Sequence, residues 1–375
     1  VSFITHIPPN LQVLVQTPAI VYVGCIHSIR LYCQSTDTKS EGIETMTRKD
    51  ALLFPVIGSI TLGGLFLAFK YIDGEWINFL FHYYFTVIGV FVIATFFYNR
   101  LKEVFVVLSS KDVLTIPKIP YLSEAATPID LLYIIIFAFA SVVGVAYFLT
   151  KHYFLNNVYG VFFSIVGIES VMVGATNIGF ILLVLLFFYD IYWVFFTPVM
   201  VTVAKSLQGP IKLMFPKSFE WVDQTNDFNM IGLGDIVIPG IYVALILRYD
   251  YLRVLGKMKE KGEKILTDAK GNFIIPFTFN NFATFIFTFF GYFLGILSTL
   301  IVMNVFDHAQ PALLYLVPGV LIGSSLPALF RRKFVQFFMF EETTELVRLG
   351  LREEEKKEEE NKKDSSTTKD SDKKE

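Results

Sequence analysis

The sequence predicts an all-α, polytopic membrane protein with nine transmembrane helices. Three observations carry this. The first is composition: 54% of the 375 residues are hydrophobic, 40 are phenylalanine, and the mean hydropathy is +0.54. The second is charge: Asp, Glu, Lys and Arg together make up 18%, where a soluble domain carries roughly 25%. The third is placement. The charges crowd into connecting segments and the last stretch, which leaves apolar runs of about 20 residues, the length a helix needs to cross a bilayer. A net charge of −2 and the lack of a basic stripe point away from nucleic acid as a partner; the expected surroundings are the lipid bilayer.

The first run, 11–32, holds Gln16, His27 and Arg30. No basic region precedes it, so it reads as a first membrane helix and not as a cleaved signal peptide. Runs at 51–71, 76–97 and 129–150 follow, and a fifth at 154–173 carries Glu169 near its end. The sixth, 178–201, and the seventh, 228–247, each keep one aspartate inside an apolar stretch. The eighth and ninth are 281–304 and 311–330. The chain thus divides into an N-terminal membrane part, 1–175, with about five helices, and a C-terminal part, 176–330, with about four. Residues 331–351 can form an amphipathic helix at the membrane interface or an ordinary solvated one. The stretch 352–375 has no apolar residue, cannot offset its ordering entropy by burial, and is expected to be disordered.

Lysine and arginine mark the cytosolic side of a membrane protein. With the N-terminus outside the cytosol, the cytosolic loops carry Arg30, Lys39, Arg48, Lys49, Arg100, Lys102, Lys111, Lys118, Arg248, Arg253, Lys257, Lys259, Lys261, Lys264 and Lys270, then Arg331 to Lys333. The opposite side carries only Lys70, Lys151, Lys205, Lys212 and Lys217. The bias predicts N-terminus out and C-terminus in, with an odd number of crossings.

The chemistry is expected at two acids. Asp190 lies in FILLVLLFFYDIYWVFFTPVMV and Asp235 in FNMIGLGDIVIPGIYVALIL. A carboxylate at membrane depth costs about 2.5–3.5 kcal/mol on insertion scales, so one kept there marks function. Consecutive helices pack against each other, and two carboxyls about 3 Å apart share one proton, the equipment of an aspartyl protease. Gly232 and Gly234 beside Asp235 remove side-chain bulk and should let another backbone approach. Pro239 removes the helix bond to the carbonyl of Asp235. Gln310-Pro311-Ala312-Leu313 opens the ninth run, where an irregular stretch could pair with an unwound substrate as an added strand. Pro327-Ala328-Leu329 and Tyr249-Asp250 repeat parts of these patterns; the former is expected to be structural and the latter solvated. Cys25, Cys33 and the scattered histidines frame neither disulfide scaffold nor metal site, and the reading needs no cofactor.

Tyr189-Asp190, Gly232-Leu233-Gly234-Asp235 and Gln310-Pro311-Ala312-Leu313, in that order, resemble the presenilin-type GxGD intramembrane aspartyl proteases, and within them the branch that cleaves signal peptides. MTRKDALLFP, VMVTVAKSLQGPIKLMFP and QPALLYLVP extend the likeness from about Met46 to Pro318. The resemblance implies nine membrane helices, a lumenal N-terminus, catalytic Asp190 and Asp235, and cleavage of type II transmembrane segments, including remnant signal peptides. It also implies residence in the endoplasmic reticulum membrane, self-association, and association with degradation machinery. Two other classes keep acids in a membrane: a proton-coupled transporter or channel, expected to show inverted repeats, and a catalytically silent quality-control scaffold.

Overall fold

The structure, a computed structural model, describes residues 8–37, 45–102, 104–105, 112–116, 127–216, 228–262, 266–267, 273–306 and 311–350. Nine long helices dominate it: α1 (Pro9–Asp37), α2 (Arg48–Tyr71), α3 (Gly74–Leu101), α4 (Leu131–Thr150), α5 (Tyr153–Ser170), α6 (Thr176–Phe195), α8 (Leu233–Glu260), α9 (Ala283–Phe306) and α10 (Leu313–Phe330). Short helices α7 (Val199–Ser206), α11 (Phe334–Phe338) and α12 (Glu342–Arg348) complete the helical part. Among the described residues, eight short strands form two-stranded pairs that tie the helix ends: β1 (Thr45–Met46) with β4 (Met172–Val173), β2 (Asp112–Ile116) with β3 (Thr127–Asp130), β5 (Lys212–Pro216) with β6 (Phe228–Gly232), and β7 (Leu266–Thr267) with β8 (Phe273–Ile274). The protein is an all-α, multi-pass membrane protein.

Among the described residues, seven helices are long and apolar enough to cross a bilayer: α1 to α4, α6, α9 and α10. The nine expected runs all become helices, but α5 and α8 are more polar. A helix covered by other helices need not be apolar for lipid's sake, and α8 is such a helix. From Pro239 to Arg248 every residue is buried. Alpha-helix α1 packs on both α5 and α8, and α9 and α10 close the other side. By contrast α2 buries only Ala51 and presents Leu53, Ile57 and Ile60 outward. A smaller core joins α3, α4 and α5 through Val90, Ile93, Ile136 and Tyr159.

Local chemistry sets the ends. Thr47 and Asp50 close a capping box at the start of α2, with bonds of 2.8 Å and 3.4 Å. His152 caps α5 by accepting from the Phe154 N–H at 3.2 Å, a structural role. The sixth run was expected to reach residue 201, but α6 ends at Phe195. Pro198 follows and disfavours helix in the residue before it. The seventh was expected to begin at 228, yet 228–232 is strand β6, and α8 starts only at Leu233. Its apolar residues continue a hairpin before they enter a helix, and α8 then runs on to Glu260 instead of ending near 247.

That extension overturns the expectation that Tyr249-Asp250 is solvated. Asp250 is fully buried. It binds Arg253 at 2.8 Å and accepts from the Phe285 N–H at 2.9 Å in the first turn of α9. An orphan amide donor at a helix start needs an acceptor, and a buried carboxylate on the neighbouring helix supplies it. Residues 331–350 hold two short helices, α11 and α12, joined through Phe340, whose carbonyl accepts from the Thr176 N–H at 3.1 Å. The stretch 352–375 and Gln310 lie outside the described residues.

Candidate active site

Helices α6 and α8 meet where Gly179 leaves room for the ring of Tyr242. They run in opposite directions from that contact. Asp190 lies eleven residues further along α6, and Asp235 seven residues back along α8. At about 1.5 Å per residue these are climbs of about 16 Å and about 10 Å toward the same end. The two acids are therefore drawn to a similar depth, and each carboxyl lies within electrostatic reach of the other.

Their settings differ. Asp190 is 3% exposed, and its Oδ2 accepts from the Leu313 N–H at 3.2 Å. Leu313 is the first residue of α10, with Ala312 as N-cap. Pro311 has no N–H and its carbonyl accepts from Leu314, while Ala312's carbonyl accepts from Leu316. The Leu313 amide is thus one of the orphan donors of a helix start, aimed at the acid with the positive end of the helix dipole behind it. Alpha-helix α10 is carried there by α9, against which it packs along Gly291, Gly295, Gly319 and Gly323.

Asp235 is the third residue of α8, in a first turn without a side-chain cap. The hairpin supplies what the cap lacks. Gly232 pairs with Lys212 at the end of the β5–β6 ladder, and the Leu233 N–H donates to the Ile211 carbonyl at 2.9 Å. The Asp235 carboxyl folds back over the N-cap, so that a Cβ on Gly232 would stand 3.3 Å from Asp235 Oδ2. A Cβ on Gly234 would meet nothing within 4 Å. Gly232 makes way for the carboxyl of Asp235 and not for another backbone, whereas Gly234 borders open space. Leu233 packs toward Gly160 of α5, beside Leu213.

Tyr189 takes another direction. A Cβ on Gly58 of α2 would lie 3.3 Å from its hydroxyl. Its ring stands 6.2 Å from that of Trp193, whose Nε1 donates to Ser59 Oγ at 3.3 Å. The pair holds α6 against α2. The geometry therefore brings together Asp190, Asp235, Gly232, Gly234, Pro311, Ala312 and Leu313, while Tyr189 and Leu233 support the helices that carry them. One residue the sequence did not single out also borders the acids. Tyr292 of α9 is fully buried and lies within electrostatic reach of Asp235. Among 18 tyrosines in an apolar chain nothing local distinguishes it.

A bundle of apolar helices that gathers two acids and a free helix start in its interior is built for chemistry within a membrane, and the relatives of this chain are intramembrane proteases. Residues 38–344 match the family model described as signal peptide peptidase. The chain is 36% identical over 336 residues to the signal peptide peptidase of Homo sapiens, covering 86% of this chain and 80% of the relative. The Mus musculus protein of the same name is 37% identical over the same shares. Intramembrane protease 2 of Caenorhabditis elegans is 39% identical over 212 residues, 56% of this chain and 43% of that one. This chain belongs to the signal peptide peptidase family. It is a protease, and the transporter and silent-scaffold alternatives fall with that membership.

Proposed function

We propose that this protein is an intramembrane aspartyl endopeptidase of the endoplasmic reticulum membrane, in which Asp190 and Asp235 hydrolyse peptide bonds inside type II transmembrane segments, remnant signal peptides included. One observation carries the reading: Asp190 is buried on the first free amide of α10 with Asp235 within electrostatic reach. Two acids so near each other do not both ionise easily and hold one proton between them. The Leu313 N–H can only donate, which favours the charged form of Asp190. Asp190 is then the base and Asp235 carries the proton.

Asp190 takes a proton from water, the hydroxide oxygen attacks the scissile carbonyl carbon, and Asp235 gives its proton to the carbonyl oxygen. The product is a neutral gem-diol. In the collapse Asp190 returns its proton to the amide nitrogen, the C–N bond breaks, and a diol hydroxyl gives its proton back to Asp235. The pair ends as it began. A substrate helix must unwind to expose its carbonyl. The β5–β6 ladder, which feeds directly into the turn of Asp235, is two-stranded among the described residues and supports docking of the unwound stretch as an added strand. Nine crossings, with the N-terminus lumenal and the C-terminus cytosolic, fit the lysine and arginine bias. Self-association and contact with degradation components follow from family resemblance alone.

The test uses the purified full chain with a transmembrane peptide substrate. Asp190→Asn and Asp235→Asn are each expected to abolish cleavage while insertion and thermal unfolding stay those of the parent. Turnover retained by either variant overturns the two-acid mechanism.

A further inference from the structure

On α9, Phe285, Phe289, Tyr292 and Ile296 follow one another at spacings of four, three and four, so they share one helix face. That face is turned inward. Phe285, Tyr292 and Ile296 are 2%, 0% and 1% exposed, and the Phe289 ring stands 5.9 Å from that of Tyr22 on α1. Tyr292 lies between α1 and α8, within electrostatic reach of Cys25 on the first and Asp235 on the second. Its hydroxyl has no hydrogen-bond partner among the described residues. A buried tyrosine hydroxyl normally finds a partner, because one left without a bond has given up water for nothing. A phenylalanine would fill the same space and lose nothing by it, so the hydroxyl needs a reason of its own.

We propose that Tyr292 is a positioning residue for the reaction: its buried hydroxyl, without a partner among the described residues, donates across one water to the carboxyl of Asp235 and keeps that acid oriented toward the scissile carbonyl. The inference rests on the two-acid mechanism above. The other titratable groups facing this point are Asp190, from α6 across Asp235, and Cys25 from α1. Alpha-helix α10 meets α9 through glycines, Leu316 and the backbone carbonyl of Tyr315.

The sign of the pH effect follows. A donor stabilises the carboxylate form of its partner. A carboxyl that has lost its donor holds its proton to higher pH, so a general acid stays protonated further into the alkaline range. Asp190 keeps its own donor at Leu313, so the first ionisation of the pair, which sets the acid side, is left in place. In the full-length protein, Tyr292→Phe is expected to move the alkaline limb of the kcat–pH profile upward by about one pH unit, to leave the acid limb in place, and to lower kcat at the optimum about tenfold with little change in KM. Incorporation of 3-fluorotyrosine at position 292, a stronger donor of nearly the same shape, moves the same limb downward and keeps the claim testable if the phenylalanine variant folds poorly. Tyr159→Phe is the control, since Tyr159 is also buried with a hydroxyl lacking a partner among the described residues but sits in the α3–α5 core; its profile stays that of the parent. An alkaline limb that does not move in the position-292 variants, or that moves equally in Tyr159→Phe, overturns the inference. Loss of cleavage in both Asp→Asn variants together with an unmoved limb sinks this inference alone; cleavage retained in either Asp→Asn variant sinks the mechanism beneath it.

Discussion

Gly232 and Gly234 stand two residues apart and meet different needs. At Gly232 a Cβ presses on the carboxyl it precedes, 3.3 Å from Asp235 Oδ2, whereas at Gly234 a Cβ enters open space. Alanine in the first turn of a helix is also favoured over glycine by up to about 1 kcal/mol. Gly234→Ala is therefore expected to leave the melting temperature unchanged or raised. If the open space is where substrate backbone passes, the same methyl lowers cleavage roughly 10–100-fold. Thermal unfolding in detergent and a cleavage assay on the same preparation check both halves; a stable variant cleaving at parental rate removes Gly234 from the site. The glycines were visible in the sequence as Gly-Leu-Gly-Asp, but their two roles were not, because each depends on what lies opposite the missing Cβ.

At the scale of elements, the α9–α10 pair decides where the Leu313 amide points. A Cβ on Gly291 would collide with the carbonyl of Gly319, one on Gly319 with the carbonyl of Gly291, and one on Gly323 with the carbonyl of Phe287. The obstacle in each case is backbone, which cannot rotate away. Backbones this near also maximise dispersion where no hydrophobic force drives helices together in lipid. Gly291→Ala is expected to cost about 1–3 kcal/mol by overpacking. It also shifts α10 against α9, so the Leu313–Asp190 bond is lost and cleavage falls further than stability does. Activity measured well below the melting temperature separates the two effects; a variant with reduced stability and full activity shows that α10 need not be so closely held. The apolar runs foretold both helices to within two residues at each end. That Pro-Ala-Leu would serve as a helix start facing an acid 123 positions earlier was not legible, because the repeat at Pro327-Ala328-Leu329 has the same letters and lies within the last turn of α10.

For the whole molecule, one buried guanidinium ties the ends of the chain to the central helix. Arg248 of α8 is 0% exposed. It donates to Glu342 of α12 at 2.6 Å, to Ser28 of α1 at 2.8 Å and to the Val173 carbonyl of β4 at 3.5 Å. The Glu342 N–H in turn donates to the Gly174 carbonyl at 2.8 Å. Removing one partner of a buried pair strands the other charge, at a cost of about 3–5 kcal/mol, while an apolar pair of similar volume can be neutral. Glu342→Ala is expected to be strongly destabilising, and Arg248→Met with Glu342→Leu to recover most of the loss. Melting temperatures of the single and double variants in one detergent decide this; a double variant no more stable than Glu342→Ala contradicts it.

What the sequence determined by itself was the all-α, multi-pass architecture and the presence of two acids inside apolar runs. Both are local in origin: lipid demands about 20 apolar residues whatever the neighbours are, and a carboxylate inside such a run stands out against them. What only the tertiary structure decided was convergence. The boundary at Leu233 was set by a hairpin partner about twenty residues away, Asp250 was drawn inward by the start of another helix, and the amide on Asp190 and the tyrosine beside Asp235 arrived from α10 and α9. Such placements are properties of how helices pack, and packing is fixed by complementarity between surfaces distant in the chain, which no window of residues contains.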